Sequence, residues 1–318
     1  MNYKKNKDEK YFKKIKKIDF SPIFILGLHR SGTSILYEML NKTNCFNVVT
    51  AYHLIKFNEL LHNHINKSEK QAKKALQDYF YKIGIGTREI DHMNVTPDFP
   101  EEYGFLLTNL HYPTKIKNNN FHIFEKLSKK IQFISKNEKP LLLKNPYDFS
   151  NFLFIKNKLP NAKFIFIHRN PINVINSKIN AYRVLLNKKN PYTLLLSSSY
   201  ELYFLFPLIQ YFFKFYYSTK NPKHFLNLLK NDINEVNFFM NNLNKLKPNE
   251  YISIRYEDLC ENPNKIISDI LDFINCSSDI DFSKFIKPRK LKIPSDLNDK
   301  KDIVYKKMEK YCKNFNYC

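Results

Sequence analysis

Two glycines five residues apart, Gly27 and Gly32, bracket the segment ILGLHRSGTS, and the hydroxyls of Thr33 and Ser34 follow at once. Glycines at that spacing let the backbone curl so that successive N–H groups face one point, which is how a loop cradles an oxyanion. A loop built for a magnesium–nucleoside triphosphate carries lysine after its second glycine. Here that place belongs to Thr33, and the cationic and donor side chains lie inside the loop, at His29, Arg30 and Ser31. A second basic stretch, FIFIHRNPINVINS, puts Arg169 after a run of apolar residues and Ser177 eight positions later. An arginine at a strand end and a serine in the first half of the next helix reach one phosphate from two sides. Together the two stretches suit a ligand with two separated phosphates.

The elements that would hold these residues can be read from periodicity. PIFILGL (22–28) is a short continuous apolar run ending in glycine, the mark of a strand buried on both faces. Residues 31–40 switch to helical spacing, with Ile35, Leu36, Met39 and Leu40 on one side. PLLL (140–143), KFIFI (163–167) and YISI (251–254) read as further strands. Helices are expected over 54–83, 101–110, 121–135, 148–159, 194–217, 223–246, 263–273 and 301–312, with 87–100 as a loop. A further helix opens at Pro171 with Asn170 as its cap. Strands alternating with helices indicate a mainly parallel sheet covered on both faces, with ligands bound beyond the carboxyl ends of the strands.

With 318 residues, 43% of them hydrophobic and 28 of them phenylalanine, the chain can bury a sizeable core. No low-complexity linker or internal repeat divides it, so residues 21–318 are expected to form one domain behind a solvated, lysine-rich arm at 1–20. The net charge of +22 would attract polyanions, but lysine, asparagine, isoleucine and phenylalanine all abound here as AT-rich coding produces. No specific nucleic-acid partner is therefore expected. The five cysteines are odd in number and scattered, without a CxxC pair, so neither a disulfide framework nor a zinc site is indicated, although Cys312 and Cys318 are close enough to pair. The basic N-terminus lacks the apolar core of a signal peptide, which fits a cytoplasmic protein. YFLFPLIQYFFKFYY (203–217) is short for a membrane span and contains Pro207, Gln210 and Lys214. It reads as a buried aromatic helix, with peripheral membrane contact as the alternative.

GLHRSGTS followed by KFIFIHRNPINVINS resembles the two nucleotide-binding segments of the sulfotransferases that use 3′-phosphoadenosine-5′-phosphosulfate (PAPS). LLLKNP before the second segment and ISIRYEDLCENPNKIISDILDFI after it are similar to that family too, in particular to its bacterial and carbohydrate-type branch. The matching segments cover about 22–40, 141–177 and 251–274, while 50–130 and the tail after 280 match weakly and are expected to shape acceptor choice. The resemblance implies an α/β fold, a three-layer, mainly parallel sheet flanked by helices like that of the P-loop nucleoside-triphosphate hydrolases. It also implies sulfuryl transfer from PAPS to a hydroxyl or amine, leaving 3′-phosphoadenosine-5′-phosphate (PAP), with no metal required.

Carried onto this sequence, the resemblance assigns Arg30, Ser31, Gly32, Thr33 and Ser34, with His29 beside them, to the 5′-phosphosulfate. Arg30 stands where many members have a catalytic lysine, and Arg169 and Ser177 would take the 3′-phosphate. Lys144 falls near a basic position beside the transferring group, and Arg255, Tyr256 and Glu257 are expected to brace the sheet edge and its loop. For the general base His53 is the first choice, followed by the acidic pair Glu101 and Glu102 in PDFPEEYGF, with Asp91 and His92 as further options. A small molecule, a saccharide and a lipid all remain open as acceptor. The competing readings are a non-catalytic nucleotide-binding protein of the same fold and a P-loop kinase or NTPase with an altered loop.

Overall fold

The computed structural model describes residues 6–88, 90, 93–108, 114–216, 222–286 and 293–317. Its strands are β1 (Pro22–Leu26), β2 (Asn47–Val48), β3 (Thr87–Arg88), β4 (Met93–Asn94), β5 (Leu141–Lys144), β6 (Lys163–His168) and β7 (Tyr251–Arg255). Five of them form a parallel sheet in the order β2-β5-β1-β6-β7, and β3 and β4 form a separate antiparallel hairpin. The chain thus starts in the middle strand, moves to one side and then crosses to the other. The ends of β1, β5 and β6 meet where the order reverses, the place at which such sheets bind ligands.

Alternation along the strands sorts residue types between the two faces. Phe24 of β1 and Phe164 and Phe166 of β6 enter one core, with Phe124, Phe149, Phe152 and Phe239 from the covering helices. Ile23, Ile25, Ile165 and Ile167 enter the other, with Leu36, Leu40, Ile267 and Ile270. The sequence KFIFI therefore encodes an aromatic face and an aliphatic face in one strand.

Several expectations need correction. The N-terminal segment is not a solvated arm throughout: Phe12–Ile15 forms a helical turn, and Asp8 is buried in an ion pair with buried Lys130 at 2.8 Å. A lysine-rich composition hides Asp8 and the apolar Ile15, which fasten it. Residues 101–108 form only one 3₁₀ turn, Tyr103–Phe105, and the aromatic stretch beyond 191 is broken into Pro191–Leu196, Ser198–Glu201, Leu202–Leu205 and Pro207–Tyr216. Its first part is buried through Tyr192, Leu196 and Tyr200, but the part read as a buried aromatic helix is exposed, with Leu208, Tyr211 and Phe212 largely in solvent. Within 87–100, read as loop, the β3–β4 hairpin appears. Asp91, His92 and Cys318 lie outside the described residues.

Two buried histidines make the fold sensitive to acid. Burial pushes His168 down to about 3 and, with Lys73 nearby, His53 to about 4. His168 stacks on Phe315 at 3.8 Å between ring centres and contacts the Tyr311 hydroxyl at 3.3 Å. Both rings protonate in the unfolded chain near pH 6.5 but stay neutral when folded, so the stability they contribute is complete above that pH and declines as the pH falls towards 4. At pH 5 the loss is expected to be about 2 kcal/mol for each ring, read from denaturant unfolding at pH 7 and pH 5. His29, held at about 4 by burial, adds a third contribution of the same kind, so His168→Phe should remove about a third of the combined pH dependence, and an unchanged slope in the variant would contradict the assignment.

Candidate functional site

The loop after β1 closes on the loop after β6. A Cβ at Gly27 would lie 2.4 Å from the Ile167 carbonyl oxygen, so only glycine allows this approach. Gly32 caps the helix Thr33–Lys42 at a φ of 104°, with a would-be Cβ 2.3 Å from the Tyr256 ring. Arg30 also holds a positive φ of 73°, a conformation kept for a residue whose direction matters. Ser31 donates its N–H to the Leu28 carbonyl at 3.0 Å, completing the turn, and Thr33 and Ser34 open the helix. The Ser31 hydroxyl is buried without a hydrogen-bond partner, a donor suited to an anion in the curl of the loop.

The predicted phosphate residues meet. Arg30 Nε donates to Ser177 Oγ at 3.2 Å, and Arg169 Nη1 donates to the Arg30 carbonyl at 3.0 Å. Each loop therefore grips the other, and the two arginines lie closer together than two separate basic rims would suggest. The Arg169 guanidinium sits 4.2 Å from the centre of the Tyr256 ring, and its Nε is buried without a partner. Glu257 accepts the Asn170 N–H at 3.1 Å and the Tyr317 hydroxyl at 3.2 Å, fixing the turn that presents Arg169. Arg255 pairs with Asp258 at 3.3 Å.

A second cluster gathers on Ser34. Its hydroxyl receives Lys144 Nζ at 3.1 Å and Arg88 Nη2 at 3.2 Å. Lys144 in turn pairs with Glu102 at 2.5 Å, while Arg88 lies 3.5 Å from Glu101, which also accepts the Tyr192 hydroxyl at 2.7 Å. Burial is the largest single influence on the Glu102 carboxyl and tends to raise it, but Lys144 together with the neighbouring Arg88 holds the group below its ordinary value, hence ionised. Glu101, wholly buried, is pushed up despite Arg88.

The framework beneath is the buried carboxylate of Asp148. It accepts the Tyr103 hydroxyl, Asn145 Nδ2 and Asn151 Nδ2, each at 2.7 Å, and the Ile116 N–H at 3.0 Å. Tyr103 follows Glu102 and Asn145 follows Lys144, so this one acid fixes the spacing of the pair.

His53 takes a different place. Its Nδ1 accepts the Thr50 N–H at 3.1 Å in a capping box that starts the short helix Ala51–Ile55. The charges acting on it are those of Lys73, Glu69 and Asp98, none of which belongs to the Ser34 cluster. His29, by contrast, is in the field of Glu102 and Lys144; it packs edge-on to Tyr147 at 4.4 Å, and burial and Lys178 keep it neutral, at about 4. Lys178, next after Ser177, pairs with buried Asp232, and burial raises nearby Glu235 to about 7.

Sequence reasoning missed Arg88, Tyr192, Lys178 and Asp232. One signal for Arg88 was available: only six of the 52 basic residues are arginine, and three of the six, Arg30, Arg88 and Arg169, converge here. Among the described residues no group of three histidine, cysteine or acidic side chains could hold a metal ion.

A family model described as "Sulfotransferase family" matches residues 22–203. No curated protein matches the chain. Among solved structures, sulfotransferase STF9 from Mycobacterium avium is similar with a TM-score of 0.59 at 13% identity, over 96% of this chain and 71% of that one. Sulfotransferase STF1 from Mycobacterium tuberculosis H37Rv is similar with a TM-score of 0.55 at 13% identity, over 95% of this chain and 80% of that one. The five-stranded parallel sheet and its covering helices are the sulfotransferase fold, of the P-loop-like kind.

Proposed function

From the premise that the chain belongs to the sulfotransferase family, we propose that it moves the sulfuryl group of PAPS to a hydroxyl or amine and releases PAP. The observation that carries this reading is the convergence, at the strand ends, of a phosphate-type loop, two interlocked arginines and the Lys144–Glu102 pair resting on Ser34. Sulfuryl transfer needs in-line placement and charge stabilisation rather than covalent work by the protein.

The roles follow from position. The backbone of residues 30–34 with the Ser31, Thr33 and Ser34 hydroxyls holds the 5′-phosphosulfate, and Arg169 with Ser177 takes the 3′-phosphate. The acceptor oxygen or nitrogen attacks sulfur while the bond from sulfur to the bridging oxygen breaks and its electrons leave with PAP. Arg30 and Lys144 offset the charge that grows on that oxygen; arginine does so without giving up a proton. Glu102, ionised, partly exposed and adjacent to Lys144, receives the acceptor's proton. Glu101 and Arg88 fix the position of this pair. A small molecule, a saccharide or a lipid is the acceptor class.

Thermal unfolding with ligands tests the donor. PAP at about 100 times its Kd is expected to stabilise the protein by about 2.7 kcal/mol, and ATP with magnesium by much less. A larger shift with ATP and magnesium would instead favour a kinase or NTPase.

A further inference from the structure

The helix Pro207–Tyr216 carries its apolar stripe outward. Leu208, Tyr211, Phe212 and Phe215 recur at helical spacing and are 86%, 74%, 57% and 54% exposed. Of the two polar residues between them, Gln210 turns inward, its Nε2 donating to the Leu186 carbonyl at 2.6 Å, and Lys214 is exposed. Leu205 and Phe206, just before the helix, are also more than half exposed. An amphipathic helix in water buries its apolar side, so this orientation is favourable only where an apolar phase receives the stripe.

We propose that this helix is a membrane-docking surface that lies in the plane of an anionic lipid bilayer. At ten residues it is too short to cross one, and no helix among the described residues is long and apolar enough to do so. Charge selects lipid over a second copy of the chain. Residues 202–216 contain no acid, Lys214 flanks the stripe, and Arg183 and Lys188 are exposed at the end of the supporting helix Pro171–Asn187. Two copies, each of net charge +22, repel one another, whereas anionic headgroups attract the same cations. The supporting helix also carries Ser177, nine residues before Leu186 and so about 14 Å along the axis, which sets the loop cluster near the lipid surface.

The full chain is floated with vesicles of phosphatidylcholine alone and of phosphatidylcholine with about 30% phosphatidylglycerol. Binding is expected to be at least about tenfold stronger to the anionic vesicles. The double variant Leu208→Asp/Phe212→Asp should lose about tenfold or more of that binding, with an unchanged circular-dichroism melting curve, and Lys214→Ala about fivefold. Absence of flotation, or equal flotation of the double variant, overturns the proposal. So does a dimer in sedimentation equilibrium that the double variant dissolves without any lipid binding, which would mark the stripe as a contact between copies.

Discussion

Replacing Glu102 by glutamine is expected to lower turnover by about 10²- to 10³-fold, measured as conversion of PAPS to PAP with a phenolic acceptor. Glutamine keeps the size of the side chain but cannot accept the proton, so the chemical step suffers while PAP binding should change by less than about threefold. The placement of Glu102 makes the expectation specific. It is held ionised by Lys144 at 2.5 Å, and Lys144 reaches the loop through Ser34 at 3.1 Å. His53→Ala provides the contrast, because the ring of His53 accepts the Thr50 N–H and caps a helix. That variant should cost about 1 kcal/mol of stability and leave turnover near that of the unaltered enzyme. Loss of turnover in His53→Ala with normal turnover in Glu102→Gln would reverse the assignment of the base.

The loop and its sheet were legible because their signals are local. PIFIL, then glycine, then the helical spacing from Thr33 onwards, state strand, turn and helix within about 20 residues, and KFIFI does the same for β6. Arg169 and Ser177 could be placed at one rim from that reading alone. Pairing across the fold was not legible. Arg88 sits on a two-residue strand, too short to show a period, and reaches Ser34 from 54 positions away. Glu101 and Glu102 read as part of a helix, but the segment is pinned through Tyr103 to Asp148, and that tertiary tie limits it to one 3₁₀ turn. Nor could residue type show that the Thr50 N–H occupies Nδ1 of His53. The aromatic stretch failed differently. Its composition predicted burial, whereas the direction of the stripe is set by Gln210 bonding to Leu186.

The central claim is that the site is built for a nucleotide phosphorylated at the 3′ position, and calorimetry on Arg169→Ala tests it most directly. Arg169 is pre-set by the Arg30 carbonyl at 3.0 Å and by the Tyr256 ring, with its Nε buried and unpaired. A guanidinium fixed in this way suits a doubly charged oxyanion, and a charge-assisted hydrogen bond contributes about 1.5–3 kcal/mol. Because Arg169 also steadies the loop, some weakening of every ligand is expected, and the informative quantity is the ratio between two of them. The predicted result is a loss of roughly 10- to 100-fold in affinity for PAP and of less than about threefold for its analogue without the 3′-phosphate. Equal losses for the two ligands would contradict the assignment of Arg169 and, with it, the reading of this loop pair as a PAPS site.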